Sequence, residues 1–148
     1  MIKILFICKD NRSCSPMAAA YLKHRLDELG ATDFEVTSCG LSTQHNDAVC
    51  EGAREALAAV GLEPLRIGVQ AIQLFHVKTA NLILCMTQEQ QKRLEKKFVS
   101  AIGKTRPLMS IIQSERDVFE PRCQDTANHG HCLAMMRPAL DALAERLA

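Results

Sequence analysis

The sequence lacks an excess of charge of either sign: 18 Lys and Arg stand against 17 Asp and Glu over 148 residues, a formal charge of +1. A chain so balanced has no general attraction to nucleic acid or to an anionic membrane, so any anion it binds must be held by local geometry. Long apolar runs are missing as well. The opening MIKILFICKDN is broken by charge too soon to be a signal-peptide core or a bilayer span, and reads as a buried strand. No linker, internal repeat or low-complexity tract interrupts the chain, and its length suits one domain, residues 1–148. Paired-cysteine zinc spacings are absent too. The seven cysteines are odd in number and mostly set in apolar or helical stretches, which favours free thiols and a cytoplasmic location over a disulfide framework. Cys39, Cys50 and Cys85 are expected to pack as small hydrophobes.

What is present alternates. Ile2, Ile4, Leu5, Phe6 and Ile7 form a short β-branched run, the pattern of a strand covered on both faces. After KDNRSCS, Ser15 and Pro16 read as a helix cap and first helical residue, and the helix closes at Gly30. Phe34 to Cys39 reads as a second strand and Asp47 to Val60 as a second helix. Ala80 to Met86 reads as a third strand, followed by a charged helix capped by Thr87. Arg106 to Ile112 is a weaker fourth strand, residues 113–132 a loop, and Leu133 to Leu147 a last helix containing Pro138. Strands alternating with helices predict an α/β domain, doubly wound, with a four-stranded parallel sheet flanked by helices. Its ligand site falls beyond the carboxyl ends of the strands, where the winding reverses.

The first strand ends in Cys8, with six residues between it and the predicted cap. A thiol placed there sits under backbone N–H groups and at the positive end of a helix, which favours a bound anion. The same field favours thiolate over thiol, so a lowered pKa and a nucleophilic Cys8 are expected.

FICKDNRSCSPMAAAYL resembles the signature of the low-molecular-weight protein tyrosine phosphatases, whose loop reads Cys, five residues, Arg, Ser, Pro. VTSCG and ANLILCMTQEQQKRL resemble further segments of that family, in order, and Asp117-Val-Phe-Glu120-Pro121 falls where it carries an acid loop. The resemblance implies the family's doubly wound fold, with flavodoxin-like winding, and its chemistry. Cys8 would attack phosphorus to give a thiophosphate enzyme, and Ser15 would stabilise the thiolate. Asn11 would brace the loop, residues Lys9, Asp10, Asn11, Arg12, Ser13 and Cys14 would cradle the phosphate, and Glu120 would protonate the leaving group, with Asp117 as back-up acid. No cofactor and no metal is implied. The partner implied is a phosphorylated protein, a small phosphomonoester or an inorganic oxyanion.

The sequence departs from that pattern at three places. Cys14 stands where the family has arginine, which removes a bidentate clamp on the phosphoryl oxygens; Arg12 and Lys9 are the nearby cations. Glu120 replaces aspartate, and Asp10 replaces glycine. These departures open other readings on the same fold: an anion-binding protein without turnover, an arginine phosphatase, or a thiol redox protein akin to arsenate reductases, with Cys8 paired to Cys14. Beyond the acid loop, Cys123, His129, His131 and Cys132 are zinc-type residues whose spacing matches no common framework; a polar loop over the mouth is the alternative. His24 and His45 read as surface positions.

Overall fold

The computed structural model describes residues 1–44 and 46–148; His45, read above as a surface position, lies outside the described residues. Four strands, β1 (Ile2–Cys8), β2 (Phe34–Gly40), β3 (Leu82–Cys85) and β4 (Thr105–Pro107), form one parallel sheet in the order β2-β1-β3-β4. The first connection leaves β1 in one direction and the later ones build outward in the other. The winding therefore reverses between β1 and β3, and Cys8 ends the strand at that reversal.

Alternation along β1 divides the interior. Ile4, Phe6 and Cys8 face the core built with α1 (Cys14–Glu28), α2 (Glu51–Ala58) and α5 (Thr126–Leu147). Leu5 and Ile7 face a smaller cluster with Val77 of α3 (Leu74–Thr79), Leu94 of α4 (Gln88–Lys97) and Ala101 of the short 3-10 turn that follows. A strand apolar on both faces is thus sandwiched between helical layers, as its sequence requires. Cys39 and Cys85 belong to the second cluster, where burial pushes both thiols up to about 12. They pack as small hydrophobes, as expected.

Several boundaries differ from the sequence reading. Helix α1 begins at Cys14, with Ser13 rather than Ser15 at the cap position and no side-chain cap bond. Helix α2 begins at Glu51, because residues before it are drawn into a bridge between Ala48 and Gly68. Only Thr105–Pro107 of the fourth predicted strand pairs in the sheet, and Leu108–Ile112 coils into a 3-10 turn. Helix α3 was not signalled by any periodic run. The last helix starts at Thr126, seven residues early, because Asp125 accepts a hydrogen bond from the amide of Asn128 at 2.9 Å and caps it. That places His129, His131 and Cys132 on a helix, not in a loop. Among the described residues, no helix is long and apolar enough to cross a membrane.

Candidate active site

The loop from Cys8 to Ser13 folds back over the end of β1, and its geometry is fixed by Asn11. This residue adopts a left-handed backbone (φ 60°), a conformation asparagine tolerates better than most. Its side-chain amide donates to Ser15 Oγ at 3.0 Å and to Ser38 Oγ at 2.9 Å, and its carbonyl oxygen accepts from the Gln70 amide at 2.8 Å. Asn11 thus ties the loop to α1, β2 and the segment beyond Gly68, as bracing requires. Ser38 and Gln70 complete this network, the Gln70 side-chain amide donating in addition to the Ser38 carbonyl at 3.2 Å; no motif singles out Gln70. Gly40 permits the close approach, since a Cβ there would lie 2.8 Å from the Asp10 carbonyl carbon and 2.9 Å from the Asn11 nitrogen.

Cys8 is 4% exposed, with its sulfur 2.9 Å from Ser15 Oγ and 3.2 Å from the Asn11 amide nitrogen, which donates to it. Either the Cys8 thiol or the Ser15 hydroxyl can donate across this contact; once the sulfur is a thiolate it can only accept, and the Ser15 hydroxyl then donates to it. Burial nevertheless pushes the Cys8 thiol up; the Ser15 hydroxyl, the Ser15 amide and the Asn11 amide oppose the rise, and the Asp10 carboxylate adds to it. This corrects the expectation of a lowered pKa: desolvation outweighs the donors gathered around the sulfur.

The two cations proposed to replace the clamp take different positions. Arg12 donates from Nε to the Ala48 carbonyl at 2.9 Å, which holds the start of its guanidinium on the segment before α2 and not over Cys8. Lys9 is exposed and, with Thr87, Glu89, Gln90, Arg93 and Glu120, lines a pocket of about 320 Å³. Arg93, from the solvated face of α4, was not singled out in the sequence. Glu120 therefore shares a pocket with Lys9. Its carboxyl pKa is raised, first by burial and then by Asp10, with Lys9 pulling the other way. Asp117 takes another role: its Oδ1 accepts from the Gln88 amide at 3.0 Å, at the start of α4.

Cys14 is 2% exposed, and its thiol points away from the loop, donating to the Phe119 carbonyl at 3.3 Å beside Cys132 Sγ at 3.5 Å. Its pKa is raised well above the ordinary thiol value, by Cys132 first and then by burial. The thiol in contact with its sulfur is thus that of Cys132, where the redox reading expected Cys8. Cys50, expected to pack as a free thiol, instead forms a disulfide with Cys123. The other zinc-type residues also disperse: His131 lies 3.4 Å from Asn128 Oδ1, and His129 is wholly buried under the loop. His129 Nδ1 lies 2.7 Å from the Asp125 carbonyl, which can only accept, so Nε2 receives the Ser13 hydroxyl at 3.0 Å. His129 therefore supports the loop from beneath and is not placed to meet a substrate at its mouth. No group of three or more metal-ligating residues comes together among the described residues.

The sequence model of the low molecular weight phosphotyrosine protein phosphatases matches residues 3–148. The chain belongs to that family. It is 26% identical over 146 residues to a protein-arginine-phosphatase of Geobacillus stearothermophilus, covering 98% of this chain and 95% of the relative. It is 31% identical over 102 residues to the low molecular weight protein-tyrosine-phosphatase Ptp of Acinetobacter johnsonii, covering 69% of this chain and 68% of the relative. The fold is similar to that of the YwlE arginine phosphatase from Geobacillus stearothermophilus, with a TM-score of 0.88, 25% identity and coverage of 99% and 93%. A YwlE mutant from Bacillus subtilis superposes with a TM-score of 0.92 at 24% identity, covering 99% of both chains. Family membership gives the loop its context: a cysteine at the end of β1, a hydroxyl in contact with it and a carboxyl in a pocket with Lys9, with no guanidinium at position 14.

Proposed function

We propose that residues 1–148 act as one cytoplasmic, cysteine-dependent phosphomonoesterase domain of phosphotyrosine type, in which Cys8 is the nucleophile and Glu120 the general acid. A phosphoryl group rests on the loop amides between Lys9 and Cys14, where the first N–H groups of α1 lack partners within the helix, and displaces the Asp10 carboxylate that accepts from the Arg12 amide at 3.1 Å. The Cys8 thiolate forms a bond to phosphorus as the bond to the leaving oxygen breaks, and protonated Glu120 gives its proton to that oxygen. Water then attacks the thiophosphate, Glu120 takes the proton, and departure of phosphate restores the thiolate. Ser15 stabilises the charge on sulfur in both states. The observation that carries this reading is the Cys8 sulfur held 2.9 Å from the Ser15 hydroxyl, which Asn11 fixes in place. A raised Glu120 pKa suits an acid that must stay protonated.

Turnover on this account is slow. Loss of one preorganised donor to a transition-state oxyanion typically costs ~2.7–4 kcal/mol, roughly a hundred- to a thousandfold in rate. A raised thiol pKa lowers the reactive fraction further. The substrate is a phosphorylated protein or a small phosphomonoester; the relatives bear the names of tyrosine and arginine phosphatases. The free state of five of the seven cysteines is in keeping with a cytoplasmic location. A second reading, an oxyanion-binding protein without turnover, is favoured by the guanidinium-free loop. Hydrolysis of p-nitrophenyl phosphate and calorimetric binding of inorganic phosphate, each by wild type and Cys8→Ser, separate the two. Turnover that Cys8→Ser abolishes supports the enzyme; phosphate binding with no turnover in either protein supports the second reading; neither activity overturns both.

A further inference from the structure

The Cys50–Cys123 disulfide joins residues 73 apart in the sequence, at the edge of the main core, where Cys50 is buried and Cys123 partly so, and takes no part in the proposed chemistry. Its two ends sit on the two halves of the site. On one side, the Cys50 amide donates to the Arg12 carbonyl at 2.7 Å, and Cys50 Sγ lies 3.4 Å from the Ser13 hydroxyl, so this cysteine abuts the phosphate loop. On the other, Cys123 follows Glu120 by three residues, and its carbonyl accepts from the Gly52 amide at 3.0 Å. Upstream of Glu120 the acid loop is held by the Val118 amide on the Met86 carbonyl, at 2.9 Å, and by Cys14 on the Phe119 carbonyl. Glu120 is thus suspended between two anchors, and the disulfide is the covalent part of the second.

We propose that Cys50 and Cys123 form a redox-controlled strap that, when closed, fixes the acid loop against the phosphate loop and, when open, frees Glu120. The inference rests on the assignment of Glu120 as the acid. Disulfides of proteins in reducing compartments are mostly transient and regulatory, and Cys123 is only partly buried, so its sulfur is the one a thiol can reach. A dithiol reductant attacks Cys123: its sulfur bonds to that of Cys123 while Cys50 leaves as thiolate and takes a proton. The reductant's second thiolate then displaces Cys123, which leaves as a thiol, and the reductant departs as its own disulfide. Two electrons have passed to the protein; a small-molecule disulfide such as oxidised glutathione reverses the exchange.

The full chain, equilibrated with dithiothreitol or with oxidised glutathione and trapped by alkylation, is mapped by mass spectrometry, and amide hydrogen exchange is followed in both states. The linked peptide pair should form and vanish reversibly, and exchange across residues 120–124 should quicken about tenfold on reduction. Cys123→Ser and Cys50→Ala should show the quick exchange in either buffer. Turnover of phenyl phosphate, whose leaving group needs a proton, should fall on reduction more than that of p-nitrophenyl phosphate. Failure of the link to form, or equal exchange in the two states, overturns the strap. The exchange readout uses no turnover, so a protein devoid of phosphatase activity would sink the acid assignment and still decide whether the strap exists.

Discussion

Restoring arginine at position 14 is the most informative perturbation of this site. Cys14 opens α1, and its thiol makes only a weak donor contact to Phe119 and a contact with Cys132. Replacing a thiol donor loses about 1 kcal/mol of hydrogen bonding, while forcing a longer stem into the seam with α5 costs roughly 1–3 kcal/mol in packing. Against that, a guanidinium turned toward the loop supplies the missing transition-state donor, ~2.7–4 kcal/mol or about a hundred- to a thousandfold in rate. Its charge also acts on Cys8 in the direction opposite to Asp10, favouring the thiolate. Cys14→Arg should therefore be less stable than wild type but faster, by about a hundredfold in kcat/KM on p-nitrophenyl phosphate. Cys14→Ala, which empties the seam without adding charge, should show no gain. A folded Cys14→Arg protein, with a cooperative melt that phosphate still raises, and with kcat/KM unchanged, would refute the argument that the absent guanidinium limits the rate.

Other expectations are independent of that one. Gly40→Ala places a Cβ within 2.9 Å of the phosphate-loop backbone and should cost about 1–3 kcal/mol of stability, with phosphate affinity in calorimetry falling more than tenfold. Gly130→Ala lies within α5 with nothing within 4 Å of the new Cβ, so denaturant unfolding should show a gain of about 0.8–1 kcal/mol. The Cys8 pKa is raised, so the folded protein holds the thiol to higher pH than a free cysteine does. Its alkylation by iodoacetamide should still be accelerating at a pH where a free thiol is fully ionised, and a plateau at neutral pH would contradict the burial argument. Glu120, though raised, still loses its proton below the raised Cys8 thiol, so the product of thiolate and protonated Glu120 makes kcat/KM rise up to the Glu120 pKa, stay level between the two and fall above that of Cys8. Glu120→Gln should remove the falling limb.

Local pattern announced much of this architecture. The β-branched run ending at Cys8 and the Ser-Pro pair after it fixed the strand-loop-helix unit, because periodicity and proline geometry act within a few residues. As a cap Ser15 misleads for a related reason: a hydroxyl before proline is a common cap, whereas here it lies 2.9 Å from the Cys8 sulfur, a placement that the family resemblance implies and the local pattern does not. Glu120 lines a pocket with Lys9, next to Cys8 in the chain. What the chain could not display were contacts between residues far apart. Cys50 meets Cys123 because α2 packs on α5, and His129 reaches Ser13 through a gap that Gly52 leaves; a Cβ at Gly52 would lie 2.5 Å from the imidazole. The Cys8 pKa was misjudged because loop dipoles are visible in a sequence pattern, whereas the depth of burial is not.

The central claim is that the phosphoryl group passes through Cys8. Glu120→Gln protein mixed with p-nitrophenyl phosphate, quenched in acid and mapped by mass spectrometry, tests it directly, since the variant still forms the intermediate from a good leaving group but hydrolyses it slowly. The account predicts one phosphoryl group on the peptide containing Cys8; nitrophenol released with that peptide unmodified, or with the phosphoryl on another residue, would contradict it.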